Sequence, residues 1–174
     1  MGRTIPSFRI ATVVEEEKWK LYKKYLRNKN EKKLFTHMFS IAKLYNSACS
    51  NAVNPIRIHP IMMSIILYHY TMLKERELDN SSNDNNDIYD NNNIDSTILK
   101  QELEKWYNFS LVLRKKNRIL FKEMLQSSYK YSSSIEVREK ENSTESLYMT
   151  LIFDQYKKML FNSNHNYQQQ QLFK

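Results

Sequence analysis

A single glycine, Gly2, in 174 residues constrains this chain more than any other feature. Loops that cradle phosphates and turns that hold dinucleotides depend on backbone conformations and close approaches that glycine supplies. Walker A and Rossmann readings are therefore excluded. Hairpins usually need positive φ at the turn, and with only three prolines in the chain the commonest helix breakers are scarce as well. The expected fold is all-α, a small helical bundle of about five helices read from the apolar spacing.

Residues 1–78 read as a three-helix module. The first helix lies within 7–27, with Ile10, Val14, Leu21 and Tyr25 near helical spacing and Glu15, Glu16 and Glu17 near its positive end. The second runs over about 31–52 through Leu34, Met38, Ile41, Tyr45 and Ala48, and it stops before Asn54-Pro55 because a residue preceding proline resists the α region. The third opens at Pro60 and continues to about 78. Its first part, IMMSIILYHYTML, is apolar on nearly every face and demands burial on several sides. This helix is expected at the centre of a bundle completed by the C-terminal half or by a second copy of the chain. Ile61, Met62, Ile65, Ile66, His69 and Leu73 are its candidate partner interface.

Residues 79–95, DNSSNDNNDIYDNNNID, cannot bury enough apolar surface to offset their ordering entropy and read as a linker. The net charge of +8 divides into +8 for residues 1–78, −5 for the linker and +5 for 96–174. Both flanking halves are basic.

The C-terminal helical segment spans 96–161. A long helix is expected over 97–127, where Leu99, Leu103, Trp106, Ser110, Leu113, Asn117, Leu120 and Met124 alternate steps of four and three. That seam suits a coiled coil with Asn117 at an a position, although Phe109, Leu111, Val112 and Phe121 fall off it, which favours packing within the chain. A last helix covers 143–161 with the stripe Leu147, Leu151, Ile152, Tyr156 and Leu160, preceded by Asn142 and Glu145 in capping-box spacing. Residues 129–141 have no assignment. The tail, 162–174, reads as disordered.

The chemistry-bearing residues are few. In KWKLYKKYLRNKNEKK, residues 18–33, eight basic residues meet one acid, Glu31, and alternate with Trp19, Tyr22 and Tyr25. On a helix Lys20, Lys23, Lys24 and Arg27 share a face, joined by Lys32 and Lys33, a ridge suited to phosphates with aromatics able to stack on bases. The competing reading is a solvated lysine face whose aromatics turn inward to the core. A second cluster, Arg114, Lys115, Lys116, Arg118 and Lys122, is either an extension of that ridge or the solvent face of the long helix. Arg3 and Arg9 form a short basic arm.

Cys49, the one cysteine, has no disulfide partner within the chain and no neighbouring cation, so a buried, inert thiol is expected. His37, His59, His69 and His165 are scattered and lack metal-ligand spacing; His69 reads as a packed core histidine. Glu15, Glu16 and Glu17 sit in a charged turn, unlike the desolvated carboxylates that catalysis needs. No cofactor, metal or catalytic residue is expected.

The absence of an apolar leader, together with the cysteine usage, points to a cytoplasmic protein, and no segment is long and apolar enough for membrane insertion. Pro6 occupies the position where a myristoylation signal needs Ser or Thr.

The opening MGRTIPSFRI, Trp19 after an acidic stretch, and FSIAKLYNSACSNAVNPIRIHPIMMSIILYHY resemble a group of short archaeal proteins of unknown function with an MGRT-x-P start and a comparable apolar helix. The resemblance covers residues 1 to 78 only and rests on Gly2, Arg3, Thr4, Pro6, Arg9 and the stretch 44–52. It implies an archaeal cytoplasmic setting and brings no activity.

Three functional expectations follow. The first is a non-enzymatic helical protein that binds an unknown protein partner or forms a homo-oligomer through residues 60–73. The second is nucleic acid binding by Lys18 to Lys33. The third is an enzyme whose site forms only in the assembled fold.

Overall fold

A computed structural model describes residues 7–80, 97–137 and 142–172, with side chains described through 77 and 160 in the first and last stretches. Every regular element among the described residues is helical. In order they are α1 (Phe8–Lys18), α2 (Lys20–Lys24), α3 (Lys29–Leu44), α4 (Asn46–Asn51), α5 (Ile58–Asn80), α6 (Thr97–Lys105), α7 (Tyr107–Leu111) and α8 (Lys115–Ser127). A 3-10 turn over Ser128–Tyr131, α9 (Ser132–Glu136) and α10 (Ser143–Leu172) complete the chain. The expected linker begins later than position 79, since Asp79 and Asn80 continue α5; its residues 81–95 and the residues of the N-terminal start pattern before Ser7 lie outside the described residues, as do the side chains of 161–174, on which the tail expectation falls.

The expected helices are present in shorter pieces. The first breaks at Trp19 (φ −91°, ψ 6°) and the second at Tyr45 (φ −109°, ψ 21°). Asn28 starts α3 through a capping box: its side chain accepts from the Glu31 N–H at 2.8 Å while the Glu31 carboxylate reaches back to the Asn28 N–H. With one glycine in the chain, the turn after α4 falls to Val53, a β-branched residue at φ 51°.

The stripe expected on the first helix faces the wrong way. Phe8, Thr12 and Glu15 are the buried positions of α1, whereas Ile10, Val14, Leu21 and Tyr25 are exposed. Thr12 tolerates burial because its hydroxyl donates to the Phe8 carbonyl at 3.0 Å, and Phe8 itself joins the core.

The long coiled-coil helix is also corrected. It breaks at Trp106 and again over Val112 to Arg114, where Arg114 is extended (φ −57°, ψ 149°). A straight rod would bury the seam and expose Phe109 and Phe121. The breaks let both rings enter the core, 5.1 Å apart, beside Trp106, Leu113 and Met124, and leave Asn117 half-buried rather than on a helix seam.

Helix α5 is central. Ile61, Met63, Ile65, Ile66, Leu67, Tyr70 and Leu73 are buried, and Ser64 among them satisfies its hydroxyl on the Ile61 carbonyl at 2.7 Å. It packs on α3, α4 and α1 from the first half and on α8 and α10 from the second. One hydrophobic cluster runs through both halves, from Phe39 and Ile41 to Phe121 and Leu147. The expected partner interface is therefore largely used up inside the chain: Ile61, Ile65, Ile66 and Leu73 are buried, Met62 is half-buried, and His69 alone of the six is exposed. Among the described residues no helix is long and apolar enough to cross a membrane.

Candidate nucleic-acid interface

The segment after the Trp19 break makes a corner that stands away from the core. Helix α2 has no buried residue and packs mainly on α1 and α3. The aromatic side chains on it and at its two ends reach solvent: Trp19 is 41% exposed, Tyr22 56% and Tyr25 81%. The aromatic side is divided: Trp19 and Tyr25 sit at the two breaks that bound the five-residue helix, while Tyr22 between them rests on Phe35 of α3.

Two of these rings, Trp19 and Tyr22, are held. Trp19 meets Tyr22 edge-on at 5.9 Å, Tyr22 meets Phe35 at 5.3 Å, and Phe35 meets Phe39 at 5.4 Å. Phe39 is buried in the core. The ladder thus runs from solvent to the centre of the bundle and fixes the outer rings against a rigid base.

Charge on the corner is unevenly neutralised. Lys18 pairs with Glu15 and Lys20 with Glu17, each at 2.6 Å. Glu31 spends its oxygens on the cap of α3, accepting from the Arg27 N–H at 2.8 Å and the Asn28 side chain at 3.1 Å. Among the described residues, Lys23, Lys24, Arg27, Lys29, Lys32 and Lys33 have no ion-pair partner. Lys20, expected in this set, is already committed to Glu17.

Between α2, α3 and α5 lies an open groove of about 380 Å³ lined by Tyr22, Leu26, Glu31, Leu34, Phe35, His37, Met38, Ile41 and His69. His69 is not the core histidine expected: it sits on the solvent side of α5, on the groove's edge, and the bulk around it holds its pKa below the ordinary value. The groove was not legible in sequence, since nothing local brings His69 to Phe35.

The second basic cluster is partly structural. Arg118 donates to the carbonyls of Leu111 and Leu113, tying off the break after α7, and Lys116 pairs with Glu75 of α5 at 2.8 Å. Arg114, Lys115 and Lys122 remain exposed. Arg9 is exposed on α1, whereas Arg3 lies outside the described residues.

Elsewhere the polar groups serve the fold. Glu102, fully buried, accepts from Lys105 at 2.5 Å, Ser143 at 2.7 Å and Thr144 at 2.8 Å, and so pins the start of α10 to α6. Burial raises its pKa, but these donors outweigh that and leave the carboxyl below its ordinary value. Cys49 is buried with its thiol toward the Pro60 carbonyl at 3.4 Å, and desolvation pushes its pKa up to about 12. His59, its pKa lowered by burial, lies 3.9 Å from Glu145. Among the described residues no three His, Cys, Asp or Glu side chains gather as a metal set.

A family model described as a domain of unknown function, DUF8156, matches residues 1–97. The chain belongs to this family. The DUF8156 match reaches past residue 78 to the first residue of α6, so it contains α1 to α5, the cationic corner and the groove. The helices that cover α5 from the other side, α8 and α10, lie beyond the DUF8156 match. No curated protein and no solved structure matches the chain.

Proposed function

We propose that this DUF8156 protein is a non-enzymatic nucleic-acid-binding protein that uses the corner from Trp19 to Lys33. The supporting observation is the exposure of Trp19, Tyr22 and Tyr25 among cations that have no carboxylate partner. Phosphates are held by Lys23, Lys24, Arg27, Lys32 and Lys33, and the rings offer stacking faces that tolerate any base. A face that served only solubility would gain nothing from holding Trp19 and Tyr22 at the surface against Phe35.

Phosphate neutralisation predicts affinity that falls steeply with salt. Filter binding of single- and double-stranded oligonucleotides across a salt series, with the parent and a Lys23→Glu, Lys24→Glu, Lys33→Glu variant, tests the reading. Retention at low salt that the variant loses supports it. No retention of any DNA or RNA at low salt ends it.

A second reading keeps the protein as a helical self-associating module, but on a different surface. On α10, Met149, Ile152, Phe153, Tyr156, Met159 and Leu160 recur at helical spacing and are all exposed. Such a stripe pairs with its own copy about a two-fold axis. Light scattering of the parent and of Ile152→Asp decides: a dimer that the substitution dissociates supports it, and a parent that is monomeric at high concentration removes it.

A further inference from the structure

We propose that the groove between α2, α3 and α5 receives one unpaired base of a single-stranded nucleic acid whose phosphates lie on the flanking lysines. This rests on the nucleic-acid reading and adds the strandedness and the contact.

The walls of the groove divide by chemistry. Tyr22 and Phe35, 5.3 Å apart and tilted by 39°, supply an aromatic side reached from solvent through the exposed Tyr22. Leu34 and Met38 supply apolar contact, and the imidazoles of His37 and His69 add polar groups to the lining. A flat, apolar-faced, polar-edged ligand is what such a lining fits.

Size points the same way. About 380 Å³ sits at the lower end of small-molecule sites, roughly 300–1,000 Å³, room for one nucleoside and not for a packed helix.

Charge selects the occupant further. Lys33 lies one turn before the groove residue His37 on the same side of α3. Lys33 thus stands beside the apolar opening, the unpaired Lys23 and Arg27 belong to the same corner, and the one carboxylate in the lining, Glu31, is occupied by the Arg27 and Asn28 N–H groups. An apolar peptide side chain would use the walls and leave these cations without purpose. A nucleotide uses both. A duplex keeps its base faces stacked and cannot present one to a groove of this depth without unstacking, which costs a few kcal/mol.

The experiment compares binding of the full chain to oligothymidine of about 12 nucleotides, to its abasic counterpart with the same phosphates, to oligouridine of equal length and to the duplex. Fluorescence anisotropy at fixed salt is the readout. The expected result is roughly tenfold weaker binding of the abasic strand, with a similar loss for the base-containing strand in Tyr22→Leu and restoration in Tyr22→Phe. Tyr22 is exposed, so neither change threatens the core. DNA and RNA strands differing in affinity identifies the source without altering the proposal. Equal binding of abasic and base-containing strands overturns the base site and leaves the phosphate reading standing. Tighter binding of the duplex than of the single strand also overturns it. Binding of none of the four removes both readings together.

Discussion

The side-chain amide of Gln155 donates to the main-chain carbonyl of Ile66 at 3.0 Å, and seven residues earlier on each helix the Tyr148 hydroxyl donates to the His59 carbonyl at 2.9 Å. Both numbers rise together, so α10 lies parallel to α5 and in a fixed register over two turns. That register closes the surface left open by the first half of the chain. Gln155→Ala and Tyr148→Phe should each lower stability by about 1 kcal/mol. The sites are about 10 Å apart along the helices, so the double variant should lose the sum within about 0.5 kcal/mol. Urea midpoints measure this; a double variant no less stable than either single one contradicts the register as two separate anchors.

The centrality of α5 was legible because an apolar run on all faces has only one home in water, and Ile61 to Leu67 occupy it. What covers it was not legible, because the choice between the C-terminal half and a second copy depends on contacts nearly 90 residues apart in sequence, such as Gln155 to Ile66. Heptad spacing misled for a related reason. Leu99 to Met124 has the right steps, but Phe109 and Phe121 off the seam carry enough apolar area to break the helix twice and bring them in. The cationic segment is visible in sequence as a run of residue types, whereas the exposure of Trp19, Tyr22 and Tyr25 depends on a break at Trp19 that no glycine or proline announces.

Glu102 makes stability depend on acid. Its folded pKa is below the ordinary 4.5, so the unfolded chain takes up the proton first. The stabilisation is complete above about pH 4.5 and is lost as pH falls through the lowered folded value. Glu102→Gln keeps the shape but gives up the charge that Lys105, Ser143 and Thr144 surround, at a cost of about 2–3 kcal/mol at neutral pH. Its stability should also fall less steeply below pH 4.5 than the parent's. Denaturation midpoints from pH 3 to 7 check both, and parallel profiles would show that Glu102 does not carry the acid response.

Cys49 should be silent in the folded protein. The thiol is buried, points at the Pro60 carbonyl and has its pKa pushed up to about 12, so almost no thiolate is present at pH 8. Maleimide labelling should follow the fraction unfolded in a urea series. Labelling in native buffer at the rate of a free thiol would place Cys49 outside the core.

Val53 pays for the missing glycine. It is 78% exposed, so its side chain contributes little packing, while φ 51° costs a β-branched residue about 1–2 kcal/mol. Val53→Asn, which tolerates this region, should raise stability by about 1 kcal/mol, seen as a higher melting temperature. A lower melting temperature would mean that the turn relies on the valine side chain after all.

The ion pair between Glu17 and Lys20 offers the sharpest test of the cationic corner, because it predicts a gain. At 2.6 Å the carboxylate neutralises a lysine of the proposed phosphate-binding surface, and both groups are largely exposed, so breaking the pair costs the fold little. Glu17→Gln frees Lys20. Affinity for single-stranded oligonucleotide should rise, and the slope of log affinity against log salt should steepen by up to about 0.7, the increment for one more phosphate contact on a single strand. Lys23→Gln should move both quantities the other way by a similar amount. If Glu17→Gln leaves affinity and slope unchanged while Lys23→Gln lowers them, Lys20 faces away from the bound strand and the contact surface is centred on Lys23, Arg27 and Lys33. If neither moves either quantity, the corner does not bind nucleic acid.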